Sequence, residues 1–402
     1  MNILIISKYI SVRKYGQNSR ISIIAQEFVK KGHNVKVISS DSNHFGNWPK
    51  YKNIYNHETI NKVNYCWIKT YKYKSSASIS RILSWLDFEL KLFFYPNKNV
   101  LNTDQIIVSS LSLITIINGL ILKRKLKCKL TFEVRDIWPL TMVEEANYNK
   151  SNFFVKVLGF IEKMGYKYSD FIVGTMPNLK AHVYSILKEK KEVYCIPFGV
   201  EDESKSSINN NYNAPEFIFP KDKLVIGYSG SLGISNGMDT FFEVIQQMKF
   251  NTKVHFVILG QGALKQSYIE KTKNQNNVTF FDYVVPSYVP LFLEKCDLLY
   301  FSALKSKVWD FGWSPNKIID YMLAKKPVLC SYSGHRTMIN EANSGFFVPS
   351  EDSKSLKEII LKISNFSKNE LDTMGERGRK WILSNRKYSK LADDYLKILN
   401  NG

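Results

Sequence analysis

Ser314-Pro315-Asn316-Lys317-Ile318-Ile319-Asp320-Tyr321-Met322 brings together, in nine residues, the groups needed to hold an anion beside a polyol. Ser314 is the predicted N-cap and Pro315 the predicted first helical residue, so the opening amides of a helix stand without partners. Such amides attract phosphate. Lys317 adds a mobile cation in the first turn, and Asp320 follows on the same face, where a carboxylate accepts hydrogen bonds from a sugar diol. The chemistry this suggests is recognition of a nucleotide through its diphosphate and ribose. An ordinary capped surface helix accounts for the same residues, so a second site has to decide.

Upstream, the β-branched run Leu224-Val225-Ile226-Gly227-Tyr228 enters Ser229-Gly230-Ser231-Leu232-Gly233, then Asn236-Gly237-Met238-Asp239 and an apolar-periodic stretch from Phe241 to Met248. This is strand, glycine loop, helix. Glycines at a strand's carboxyl end let backbone approach a ligand, and open α/β sheets bind ligands at that end. A similar unit follows in Val254 to Leu259 and Gly260-Gln261-Gly262. No complete G-x-G-x-x-G is present, and no acidic residue stands about 20 positions on as a dinucleotide site requires. A nucleoside diphosphate fits better than NAD.

The elements that must position these loops alternate from the start: a strand Asn2 to Ser7, a helix Ser19 to Lys31 and a strand Asn34 to Ser39, the pattern of a parallel sheet. Residues 43 to 75 lack a regular period and read as an irregular insertion with some strand, Val63 to Lys69. The apolar run Gln105 to Leu122 is close to the lower length for a membrane span. It is read as strand then helix, because Lys129 to Val134 is the next strand. A chain of 402 residues with 44% hydrophobic content can bury two cores. The polar stretch Glu201 to Pro220 is the linker candidate, giving a first domain over 1–200, a second over 221–384 and a terminal helical segment over 385–402.

Charge is lopsided. Residues 1–200 carry 30 Lys and Arg against 14 Asp and Glu, a surplus of 16, whereas residues 201–402 carry 26 against 22, a surplus of 4. The basic half suits an anionic partner: nucleic acid, an anionic bilayer or a pyrophosphate-linked substrate. No helix-turn-helix, zinc finger or RNA-binding signature accompanies it, which argues against nucleic acid. Ser80 to Tyr95 mixes Trp85, Phe88, Phe93 and Phe94 with Lys91, as a helix lying in a lipid interface does. Packing on the domain's own sheet is the other reading of that helix. Five scattered cysteines with no C-x-x-C pair suggest a reduced, cytoplasmic setting, and the opening residues read as a strand and not as a signal peptide. Metal-ligand spacing is absent among the six histidines, and Asp-x-Asp does not occur.

In this order, the opening strand, Lys31-Gly32-His33-Asn34-Val35, Phe132-Glu133-Val134-Arg135-Asp136-Ile137-Trp138-Pro139, Ile196-Pro197-Phe198-Gly199-Val200, the Gly230 loop, Gly260-Gln261-Gly262 and the Ser314 helix resemble family 4 glycosyltransferases, the retaining group with the GT-B fold. The resemblance implies an α/β architecture of two Rossmann-like parallel-sheet domains facing a cleft, with a C-terminal helix crossing back to the first. Within the family, Arg135 to Pro139 is most similar to bacterial transferases of surface polysaccharide (O-antigen or capsule), including those handling N-acetyl-fucosamine. Two positions depart from the pattern. The family's E-x7-E acids fall here on Gly312 and Asp320, and Ile234-Ser235-Asn236 stands where a phosphate-binding cation often follows the glycine loop.

What the resemblance implies is a cytoplasmic enzyme, peripheral on the inner face of the membrane, moving an N-acetylated or 6-deoxy hexose from a UDP-sugar to a polyprenyl-diphosphate-linked saccharide without a metal or other cofactor. Donor contacts are expected from Gly230, Ser231, Leu232, Gly233, Tyr283, Ser314, Asn316, Lys317 and Asp320. Lys317 is also expected to meet leaving-group charge in catalysis. Asp136, supported by Arg135, is expected at the acceptor hydroxyl or donor sugar, although a helix N-cap with Arg135 as counter-ion reads equally well. Gly16, Arg20 and His44 are expected beside the acceptor. The alternatives are a UDP-sugar 2-epimerase of the same fold and a catalytically silent partner in polysaccharide assembly.

Overall fold

The computed structural model describes residues 1–16, 18–43, 48–73, 79–201 and 215–401. The chain divides into two compact units, Met1–Glu201 with Tyr388–Gly402, and Asp202–Lys387.

The first unit contains β1 (Asn2–Ile6), α1 (Arg20–Lys30), β2 (Asn34–Ser40), β3 (Tyr55–Ile60), β4 (Val63–Ile68), α2 (Ile79–Phe93), β5 (Gln105–Ser109), α3 (Thr115–Leu126), β6 (Lys129–Val134), α4 (Leu140–Glu145), α5 (Phe153–Tyr168), β7 (Phe171–Gly174), α6 (Leu179–Leu187) and β8 (Val193–Cys195). These strands form one sheet in the order β3-β4-β2-β1-β5-β6-β7-β8, parallel except where β3 runs against β4. Unbroken apolar strands such as Ile3–Ile6 and Ile106–Val108 are what a sheet covered on both faces requires. Sequence reading missed β3. Tyr55-Asn56-His57-Glu58-Thr59-Ile60 is a polar edge strand, joined to β4 through Asn61 and Lys62, whose φ angles of 51° and 65° make the two-residue turn of a hairpin.

The second unit contains β9 (Leu224–Ser229), α7 (Asp239–Gln247), β10 (Val254–Leu259), α8 (Lys265–Thr272), β11 (Val278–Phe281), α9 (Val289–Lys295), β12 (Leu298–Ser302), α10 (Asn316–Leu323), β13 (Val328–Ser331), α11 (Met338–Ala342), β14 (Gly345–Val348), α12 (Ser353–Ile363) and α13 (Lys368–Asn385). Its six-stranded sheet runs β11-β10-β9-β12-β13-β14, all parallel. This is the doubly wound order, in which the chain reverses direction across the sheet between β9 and β12 and leaves a crevice at their carboxyl ends.

The last helix, α14 (Tyr388–Asn400), belongs to the first unit. Tyr388, Leu391, Tyr395 and Leu399 bury against Ile21, Ile24 and Phe28 of α1. Tyr395 stacks edge-on to Phe28 at 5.7 Å, and Gln105 Nε2 donates to the Leu399 carbonyl at 2.9 Å. The terminal helix thus completes the first hydrophobic core.

Candidate functional site

The loop after β9 and the start of α10 meet at the reversal point of the second sheet. Tyr321 fastens them, since its hydroxyl accepts from the Ser229 amide at 3.1 Å. Lys317 donates to the Tyr228 hydroxyl at 3.0 Å and lies 4.3 Å from that ring and 5.7 Å from the ring of Phe301. Tyr228 in turn donates to the Ser231 carbonyl at 2.7 Å. A Cβ on Gly230 would sit 2.4 Å from Lys317 Nζ, so glycine is what lets the ammonium lie against the loop. The structure therefore joins Gly230 and Lys317, two residues that sequence reading assigned to one site, through Tyr228 and Tyr321, which it missed. Their signal was position, since Tyr228 enters the glycine loop and Tyr321 sits one turn past Lys317.

The electrostatics here would suit an anion. Half-buried Lys317 has no carboxylate partner among the described residues, and burial pulls it down to about 8. A lysine with three N–H donors and one neutral acceptor is poised for an incoming anion. Asp320 is exposed, yet loss of solvent to the surrounding protein pushes its carboxyl up to about 6. The helix start is shifted by one residue from the expectation: Pro315, with ψ 139°, is extended and occupies the N-cap position, and Asn316 opens the helix. Ser314 is then not the cap. Because proline has no side-chain oxygen, the N-cap residue makes no side-chain bond to the first amides, and Asn316 beside it is exposed.

Other glycines serve packing. A Cβ on Gly260 would come within 1.9 Å of the Gly230 carbonyl, and one on Gly262 within 2.3 Å of the Leu232 carbonyl. The two loops pair through backbone, Leu232 N to Gln261 O at 2.8 Å and Leu264 N to Leu232 O at 3.0 Å. Leu232 is fully buried, so the expectation of a donor contact there gives way to a packing role. Ser231 is exposed and Gly233 half-buried in the same loop, and Tyr283 is exposed beyond β11.

In the first unit, Arg135 and Asp136 leave the end of β6 with the Arg135 amide held by Ser110 Oγ at 2.9 Å. The Arg135 guanidinium lies 5.1 Å from the Phe198 ring, its Nε buried without a hydrogen-bond partner. Burial raises the Asp136 carboxyl above the ordinary aspartate range even though the side chain keeps an exposed face. Asp136 does not cap a helix, because α4 starts at Leu140 with Pro139 in the cap position.

Arg20 is 2% exposed and pairs with the equally enclosed Glu133 at 3.0 Å, while Nε and Nη2 donate to the Pro197 and Ile196 carbonyls at 3.2 and 2.6 Å. With its guanidinium so enclosed it is a core tie between α1, β6 and the segment after β8, not an acceptor contact. Trp85 and Phe88 are buried on the inner face of α2, whereas Phe93 and Phe94 are exposed and Lys91 pairs with Asp87 at 2.7 Å. Trp85 and Phe88 thus hold α2 to its own domain. Gly16 is exposed in the turn after Val12, and His44 lies outside the described residues. His182 is bonded to buried Glu162 at 2.7 Å and His255 to Thr279 at 2.8 Å.

Among the described residues no helix is long and apolar enough to cross a membrane. No curated protein matches the chain in sequence. Among solved structures it is similar to sucrose-phosphate synthase from Thermosynechococcus elongatus, at 13% identity and TM-score 0.70 over 100% of this chain and 98% of that one. It is also similar to Anabaena HepE in complex with UDP and glucose, at 12% identity and TM-score 0.63 over 100% of both chains. A glycosyltransferase from Rickettsia africae matches at 15% identity and TM-score 0.64, over 100% and 98% of the two chains. The chain has the GT-B fold of these structures, and residues 223–365, which hold β9, the glycine loop and α10, match the family described as glycosyl transferases group 1.

Proposed function

We propose that this protein is a retaining glycosyltransferase that takes a hexose, N-acetylated or 6-deoxy, from a UDP-sugar and passes it to a lipid-linked saccharide at a membrane surface, in assembly of a bacterial O-antigen or capsular polysaccharide. The observation that carries the reading is Lys317: a half-buried ammonium without a carboxylate, beside Gly230 and in the first turn of a helix whose opening amides carry no side-chain cap. The diphosphate sits against Lys317 and those amides, and Asp320 accepts from the ribose. As the bond to the sugar breaks, charge builds on the departing diphosphate, and fixed cations and dipoles stabilise it without having to reorganise. Asp136, with its raised carboxyl beside Arg135, contacts the acceptor hydroxyl or the donor sugar. HepE, a structural relative, was crystallised with UDP and with UDP-glucose, which supports UDP as the nucleotide.

The test is UDP release from a panel of UDP-sugars, with membrane extract supplying the acceptor, comparing the native chain with Asp136→Asn. Turnover lost in the variant while UDP still binds supports the catalytic assignment. Gly312, with φ 87° where the family's first acid stands, favours a second reading as a nucleotide-binding but silent partner. Under that reading UDP binds, no UDP-sugar is consumed, and Asp136→Asn changes nothing.

A further inference from the structure

One face of the first sheet is covered by α2, α3, α5 and α6, the other by α1 and α14. Small residues draw the four-helix layer close: a Cβ on Gly119 of α3 would meet Val108 at 2.6 Å, and one on Gly165 of α5 would meet Phe132 at 2.8 Å.

Its four helices hold three carboxylates, and none is free. Glu89 is buried and bonded to Ser112, Thr115 and Asn118; Glu162 is buried and bonded to Tyr166 and His182; Asp87 pairs with Lys91 at 2.7 Å. Against them the same helices carry nine lysines and arginines, among them exposed Arg124, Lys125, Lys156, Lys163 and Lys180. Between the cations stand large apolar side chains in water. Phe153 is 82% exposed, Phe160 65% and Leu90 60%, with Leu83, Leu86 and Phe94 also exposed.

The two kinds of residue are interleaved by helix geometry. Phe153, Lys156, Phe160, Lys163 and Lys167 fall on one exposed stripe of α5. Lys125 at the end of α3 lies 5.5 Å from the Phe93 ring at the end of α2, so the apolar face of α2 runs into the basic end of α3. The opposite side of the sheet is mixed in sign, with Lys31 paired to Asp393 at 2.7 Å and Asp394 to Lys397 at 3.2 Å. A large apolar patch on a water-facing surface marks an interaction site. Lys91 and Lys123 are paired with Asp87 and Asp170 at 2.7 Å each, but apolar side chains for the acyl boundary, ringed by the exposed Arg124, Lys125, Lys156, Lys163 and Lys180 for the headgroups, complement an anionic lipid surface.

We propose that the outer face of the α2-α3-α5-α6 layer docks on an anionic lipid bilayer, inserting Leu86, Leu90, Phe93, Phe153 and Phe160 and setting Arg124, Lys125, Lys156 and Lys163 over the headgroups. This deepens the reading of a lipid-linked acceptor, on which it rests for its purpose, and it involves no residue of the nucleotide site.

Flotation of the intact chain with vesicles tests it, using phosphatidylcholine alone and phosphatidylcholine with about a third phosphatidylglycerol, at low and high salt. Three double variants accompany the native chain: Phe153→Ser with Phe160→Ser, Lys156→Gln with Lys163→Gln, and Lys354→Gln with Lys362→Gln in the second unit. Thermal melts establish that each is folded. The native chain is expected to float with anionic vesicles only, and each of the first two pairs to lower partition by roughly tenfold or more, since one cation near an anionic surface is worth about fivefold. The Lys354 pair is expected to leave it within about twofold. Absence of flotation with anionic vesicles overturns the proposal. So does an equal loss from the Lys354 pair, which reduces the effect to net charge, and so does self-association abolished by the Phe153 pair without vesicle binding, which assigns the face to a second copy. UDP titration of the same preparations reports separately on the donor site, so either reading can fail alone.

Discussion

Lys317 is charged at neutral pH and gives up its proton as pH rises through about 8, because burial disfavours the ammonium. A bound diphosphate restores the charge and raises that value again. UDP affinity is therefore expected to be level below about pH 8 and to fall by up to about tenfold per pH unit above it. Asp320 runs the other way. Its carboxylate is present above about 6, so a ribose contact there makes affinity fall as pH drops below that value. Titration calorimetry from pH 5 to pH 9.5 should show a plateau between two limbs, the upper flattened in Lys317→Met and the lower in Asp320→Asn. Tyr228→Phe removes the hydroxyl that aims Lys317 and is expected to weaken UDP by about fivefold, the worth of one ordinary hydrogen bond. At this scale the sequence pointed to Lys317 because it lies within one helical turn of Ser314 and Pro315, and to Asp320 because it follows one turn later on the same face. Tyr228 was not, since only the folded sheet brings it to a lysine 89 residues away.

Elements set how closely the loops can approach. The loops after β9 and β10 touch through backbone at Gly260, where a methyl group meets the rigid Gly230 carbonyl at 1.9 Å. Gly260→Ala is expected to cost about 1–3 kcal/mol in chemical unfolding and to weaken UDP together with stability, because the displaced Gly230 loop carries the site. Gly230→Ala differs in what it meets, since the nearest atom is the mobile end of Lys317, but at φ 151° the alanine also strains the backbone and lowers stability. Affinity is expected to fall there by more than the melting point suggests. The glycine loops themselves were legible, as strand-glycine-helix order is a local pattern. Helix faces were harder: α2 is apolar on both sides, so periodicity could not tell that Trp85 and Phe88 point inward while Leu86 and Leu90 point to water. The edge strand β3 was missed because four of its six residues are polar and none is fully buried, and only its Asn61-Lys62 turn marks it.

At the scale of the whole molecule, distant parts of the chain are tied by one buried ion pair. Arg20 opens α1, Glu133 lies in β6, and Tyr395 of the terminal helix donates to Glu133 at 3.3 Å. Removing Arg20 strands a carboxylate with no solvent, so Arg20→Ala is expected to lower the unfolding free energy by about 3–5 kcal/mol, read from urea denaturation. The sequence placed Arg20 at a binding site because position in a loop-to-helix turn was all it offered; the partner stands 113 residues on, beyond any local pattern. Fold class was legible through the alternation of strands and helices, and the closing role of α14 through its apolar face. The proposed function rests on the nucleotide site, and calorimetric titration with UDP, GDP and ADP tests it most directly. UDP is expected to bind selectively and Lys317→Ala to lose about thirtyfold in affinity, the worth of a charged hydrogen bond, with the melting point unchanged. Equal or absent binding of all three nucleotides, or a Lys317→Ala chain that binds UDP as the native one does, would contradict it.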